Sequence, residues 1–150
     1  ALSPFTLPDN LSEDICQVEF IAVAGREHPL NLPPRELTLE ELKTCRQIVI
    51  RDSALEQKKD VGWLGSDQRW TVSHIKTSLD AIRLGLGYAW LPDAYTNEDI
   101  EAGRLKYLPV EVGSIREVTT YLTFADRDFA GPATRRLADI LKEQLPKSCG

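Results

Sequence analysis

Arg69-Trp-Thr-Val-Ser-His-Ile-Lys-Thr-Ser-Leu-Asp-Ala-Ile-Arg-Leu-Gly-Leu-Gly-Tyr-Ala-Trp-Leu-Pro92 reads as strand, amphipathic helix, glycine turn and strand, a complete βαβ unit. Trp70, Thr71 and Val72 make the incoming strand. Ser73 is placed as the helix N-cap, because a hydroxyl there can accept one of the orphan backbone N–H groups. Ile75, Leu79, Ile82 and Leu86 recur at helical spacing on one face. Gly85 stands where a helix end calls for positive φ. Tyr88 to Leu91 is an apolar run without alternation, as expected of a parallel strand covered on both faces, and Pro92 ends it. The unit predicts an open α/β sheet, and such sheets bind small molecules beyond the carboxyl ends of their strands.

Outward from this core, residues 17–24 alternate as a strand, with Val18, Phe20 and Ala22 on one face and Ile21 and Val23 on the other. Residues 25–36 carry Pro29, Pro33 and Pro34 and read as an irregular loop. Thr38 and Glu41 then form a T-x-x-E capping box, with Leu37 and Leu42 as its hydrophobic staple, so a helix begins there. Residues 47–51 follow as a strand. Residues 53–66 are charged and poorly periodic, a surface excursion with Trp63 and Leu64 as anchors. After Pro92, Asp93 is placed as the cap of a short helix ending at Gly103, and Tyr107 and Leu108 as the start of the next strand. Residues 118–124 read as a strand. Pro132 opens a final helix whose Ala133, Leu137, Ile140, Leu141 and Leu145 make one apolar stripe before Pro146.

Composition narrows the function. The 150 residues are 42% apolar, enough for one core or two small ones. A formal net charge of −5 argues against this piece holding DNA, because phosphate contacts need clustered Lys and Arg. No apolar run approaches the roughly 18 residues that cross a bilayer. Cys16, Cys45 and Cys149 share no C-x-x-C spacing and fit a reduced, cytoplasmic protein. His28 and His74 are far apart, with no neighbouring ligand at zinc spacing, so no metal is expected. No cofactor fingerprint is present, since the Gly85-Leu-Gly87 turn lacks a third glycine. Nucleophile and zinc-protease motifs are absent as well, and the chain reads as non-enzymatic.

His28-Pro29-Leu30 after a strand, the Gly85-Leu-Gly87 turn feeding an apolar strand that ends Leu91-Pro92, and Gly103-Arg-Leu105 before another strand occur in a fixed order. In that order they resemble the effector-binding domain of LysR-type transcriptional regulators. The resemblance covers most of the chain. It implies a periplasmic-binding-protein-like (type 2) α/β fold, present in part. Residues 1–23 would close the first effector subdomain. Residues 24–120 would form the second, and 121–150 would be the return strand and terminal helix of the first. It also implies an N-terminal winged helix-turn-helix that lies outside this chain, an expectation that Ala1 to Pro4, read as the tail of a strand, supports. The final helix is then expected to expose apolar surface or to find it covered by another chain.

Candidate contacts to a ligand follow from position. Arg51, Asp52 and Ser53 leave the carboxyl end of a strand, where Arg51 could hold a carboxylate through two hydrogen bonds. The plainer reading pairs Arg51 with Asp52 or with solvent. Ser73 and His74 stand at a helix start, whose free N–H groups and dipole favour an anion. The plainer reading makes Ser73 a cap and His74 a solvated side chain. Gly87 would permit close backbone approach to a ligand or, as packing, to a neighbouring strand. Tyr121 and Thr123 are added by the resemblance, which places effector contacts on that strand.

The function implied is sensing of a small-molecule effector, with a carboxylate as one candidate class, between two subdomains, to modulate DNA binding by the separate N-terminal domain of a cytoplasmic dimer or tetramer. An extracytoplasmic solute-binding receptor of a transporter is the alternative, since it shares the hinged architecture. A small cytosolic enzyme on the same kind of sheet is a third reading.

Overall fold

The computed structural model describes residues 2–3, 12–51, 64–126, 128–145 and 148–149. Its strands are β1 (Leu2–Ser3), β2 (Ser12–Gly25), β3 (Gln47–Ile50), β4 (Arg69–Val72), β5 (Tyr88–Pro92), β6 (Leu105–Tyr107), β7 (Ile115–Thr123) and β8 (Ser148–Cys149). Its helices are α1 (Leu39–Lys43), α2 (Ile75–Arg83), α3 (Asp93–Glu101) and α4 (Pro132–Gln144), with a 3-10 turn at Pro29–Asn31. The chain divides into two compact units, unit 1 of Ala1–Glu19 with Glu117–Gly150 and unit 2 of Phe20–Arg116.

Unit 2 is a sheet with helices on both faces. β2 pairs antiparallel with β5, Phe20 opposite Pro92 and Ala24 opposite Tyr88. On its other side β2 pairs antiparallel with β6. β3 lies parallel to both β5 and β4. The sheet is therefore mixed. The expected continuous apolar strand is present as β5, but its longest pairing is antiparallel, because an unbroken apolar run reports burial on two faces and not strand direction. One face packs Ala22, Ala24, Tyr88 and Trp90 against Leu37 and Leu42. The other packs Ile21, Val23, Ala89 and Leu91 against Leu79 and Ile82 of α2. The two faces of β2 thus divide as the alternation of 17–24 requires.

Local signals set the helix ends. The Thr38 hydroxyl accepts from Glu41 N, and the Glu41 carboxylate accepts from Thr38 N at 2.8 Å, closing the capping box. Leu37 and Leu42 are both buried in the same cluster beside it. Gly85 takes φ 72°, ending α2. Other expectations shift. His74, not Ser73, is the N-cap residue of α2, and it makes no side-chain cap bond. Leu86 is exposed, because α2 stops at Arg83 and the stripe cannot continue past the turn. Pro92 holds the N-cap position of α3, and the Asp93 carboxylate accepts from the next backbone N–H, Ala94 N. The strand expected from Tyr107 begins two residues earlier, at Leu105, and Leu108 lies just beyond it, its N–H donating to Ala22 O at 2.8 Å.

Trp63 lies outside the described residues, and Leu64 is exposed and anchors nothing by burial. Ser66 does so instead. It is buried, donates to Cys45 O at 2.6 Å and accepts from Gln68 N at 3.2 Å, fixing the approach to β4.

In unit 1, α4 packs on Ile15 and Cys16 of β2 and on Leu122 and Phe124 of the β7 segment. β1 pairs antiparallel with β7, and β8 parallel with β2. The expected single stripe on α4 divides in two. Ala138, Leu141 and Leu145 face the sheet. Leu137 is 57% and Ile140 38% exposed, and Ala133 is exposed with them. Residues 133, 137 and 140 sit on the flank of the helix, about 100° from the packed line, so one contact face does not reach them.

Candidate functional site

The parallel pair β3 and β4 positions the candidate site. Their register sets Gln47 opposite Arg69 and Ile50 opposite Val72. The ladder continues one residue further, with Arg51 N donating to Val72 O at 2.7 Å. Arg51 therefore leaves one strand beside the point where Ser73 and His74 leave the other. All three side chains are exposed. Asp52 and Ser53 lie outside the described residues.

α2 starts at the same place. Its cap residue His74 is extended, φ −138° and ψ 143°, and supplies no side-chain acceptor; the first turn carries no acidic residue. The first backbone N–H groups of a helix have no partner within it, and they carry the positive end of its dipole. Among the described residues, neither the cap side chain nor an acidic residue of the first turn offsets that charge. Lys76, in the first turn and exposed, adds a cation. Lys76 is not singled out by the sequence motifs, although the segment between Ser73 and Ser78 holds this lysine and no acidic residue. Arg51, Lys76 and the helix start together suit a carboxylate or another compact anion.

A sequence model of the LysR substrate binding domain matches residues 1–146. The chain belongs to this family. The LysR-type domain is 32% identical over 114 residues to the probable HTH-type transcriptional regulator YhaJ of Escherichia coli (strain K12), covering 75% of this chain and 37% of YhaJ. The chain thus spans little more than a third of the length of that curated relative. The regulatory domain of NMB2055 (MetR), a LysR family regulator from N. meningitidis, superposes with a TM-score of 0.73 at 14% identity, over 95% of this chain and 68% of that one. Full-length LysG from Corynebacterium glutamicum, solved with bound effector Arg, gives a TM-score of 0.63 at 18% identity, over 95% of this chain and 49% of that one. The fold is the periplasmic-binding-protein-like α/β fold of these regulatory domains, and the match favours a regulator over a transport receptor.

Of the remaining candidates of the LysR-type domain, Gly87 lies in unit 2 with Arg51, and Tyr121 and Thr123 lie in unit 1. Gly87 precedes β5 at the amino end of the sheet, since Tyr88 pairs with Gln47, the first residue of β3. Four residues of strand, roughly 13 Å, separate that end from Arg51. A Cβ at Gly87 would stand 2.4 Å from Arg46 O and 3.3 Å from Ile48 Cδ1, so the glycine serves strand packing. Tyr121 and Thr123 lie on β7 in unit 1. Thr123 is buried, with Oγ1 3.2 Å from Ser12 Oγ, and Tyr121 is half-buried. Both alternate with Leu122 and so face away from α4.

Among the described residues, no group of three or more His, Cys, Asp or Glu side chains is arranged to hold a metal ion. No helix of the described residues is long and apolar enough to cross a membrane. Cys16 and Cys45 are free thiols.

Proposed function

We propose that this domain senses a small-molecule effector at the carboxyl ends of β3 and β4. Arg51 pairs with an anionic group of that effector, and the Ser73–His74 start of α2, with Lys76, receives the same charge. In the longer protein the bound state modulates DNA binding by a separate N-terminal domain of a cytoplasmic homo-oligomer, with no catalysis and no membrane contact. The family match over residues 1–146 supports the regulatory reading. The observation that carries the location is Arg51, held by the Val72 carbonyl beside a helix start with no side-chain cap. Asp52 remains a candidate contact from its sequence position just after β3, and Ser53, Tyr121 and Thr123 on the strength of the family resemblance. A carboxylate is the favoured class, and the effector Arg bound by LysG carries one.

The test is a thermal-shift screen of carboxylate metabolites against the 150-residue chain, followed by titration calorimetry. A hit should bind Arg51→Ala about tenfold more weakly, the loss of one charge-assisted contact. The ligand-free melting temperature should be unchanged, because Arg51 is exposed. Equal binding by the variant would remove Arg51 from the site. A full-length protein whose DNA affinity ignores the hit would remove the regulatory reading.

A further inference from the structure

Unit 2 ends at Arg116, inside strand β7. The residues just before that point are tied down from several directions. The Trp90 indole N–H donates to Gly113 O at 2.9 Å. The Arg116 guanidinium carbon stands 5.0 Å from the centre of the Trp90 ring, and Arg116 Nε donates to the same Gly113 carbonyl at 3.3 Å. Ala22 N donates to Ser114 O at 3.0 Å, and Glu111 N to Leu37 O at 2.9 Å. Gly113 takes φ +74°, and a Cβ there would lie 3.2 Å from Arg116 Nε and Nη2. A side chain there would be strained by the positive φ and would press on the guanidinium.

Trp90 is a firm base for this contact. It lies on β5, is 8% exposed, and packs edge-on against the fully buried Tyr88 with ring centroids 5.7 Å apart. One indole thus serves the core with its ring body and the outgoing chain with its N–H and its outer face. The cation over the indole and the two hydrogen bonds to the Gly113 carbonyl are each modest, yet they tie the same two side chains to one turn peptide.

We propose that Trp90 and Arg116 form a latch that fixes the point at which β7 leaves unit 2, so that bending of this strand begins beyond Arg116. Hinges in ligand-responsive proteins are a few residues that absorb the backbone change, and they work only if the chain on one side is held. The use of the latch in signalling rests on the effector-sensing reading above; the latch itself does not.

Amide hydrogen exchange on the ligand-free 150-residue chain tests it. Arg116→Leu should speed exchange of residues 114–118 roughly tenfold, the combined loss of a cation–π contact and a hydrogen bond. Residues 88–92 should keep their wild-type rates. Trp90→Phe keeps an aromatic face but loses the N–H and the pyrrole half of the indole, and should show a smaller rise confined to the same segment. Unchanged exchange at 114–118 in both variants overturns the latch. So does an equal rise across all of unit 2, which would make the contact one of general core stability. If Arg116→Leu does not fold, Trp90→Phe alone decides. A confirmed latch in a protein that responds to no effector would sink the sensing reading and leave the latch standing.

Discussion

Glu41 shows how much one carboxylate can be asked to do at the start of a short helix. Its Oε2 accepts from Thr38 N at 2.8 Å, and Arg35 bonds both oxygens, Nη2 to Oε1 at 2.9 Å and Nη1 to Oε2 at 3.1 Å. The Arg35 contact above all, then the Thr38 N–H, pulls the Glu41 carboxyl down to about 2 from its ordinary 4.5. As the pH falls, the unfolded chain takes up this proton first. The stabilisation is therefore complete above about 4.5 and is lost progressively on descending toward about 2. Thermal melts across that window should fall more steeply for the wild-type chain than for Glu41→Gln. Parallel slopes would show that the pairing contributes nothing in solution, as many exposed ion pairs do not. Such a cap can be read from four residues of sequence because all its partners are local.

At the scale of elements, α2 and α3 are joined near their carboxyl ends by Asp99. This buried carboxylate accepts from Arg83 Nε at 3.0 Å and Nη2 at 2.5 Å, and from Arg104 Nε on its other oxygen. Arg83, ahead of Arg104, holds it below the usual carboxylate range against the opposing effect of burial. Asp99→Ala should cost about 2 kcal/mol, less than for a fully buried pair because both arginines keep partial access to water. Urea denaturation measures this, and a loss below about 0.5 kcal/mol would reduce the cluster to surface decoration. Residues 83, 99 and 104 read singly as solvated charges, and no periodicity relates them. The same limit explains the start of α2. A serine before a helix is a good cap on propensity, yet α2 takes His74 as its cap, two residues beyond the end of β4 at Val72. It explains α4 too, because an apolar stripe says that a helix has a partner without saying which flank that partner covers. Arg51 and the Ser73–His74 start of α2 could each be read singly from the sequence, as a strand end and a helix start, but their adjacency could not, because the pairing of β3 with β4 is a contact between separate segments. Tyr121 and Thr123 rested on family likeness alone.

For the whole molecule, 23 acidic residues against 18 basic ones set the long-range field. Duplex DNA carries a dense negative charge, and binding it requires a protein surface able to displace its counterions. The 150-residue chain should therefore not retain labelled duplex DNA in anisotropy titrations at physiological ionic strength. Tight, salt-sensitive retention would place a DNA reader within these residues and overturn the division of labour proposed above. The ladder between β3 and β4 has one more outcome, which concerns insertions and deletions. Arg51 and His74 come from different strands, so their spacing is set by which rungs of the ladder meet. Removing Thr71 would turn Val72 to the opposite face and draw His74 one step back along the sheet. Every side chain of the candidate site would survive such a deletion, and the site would still be lost.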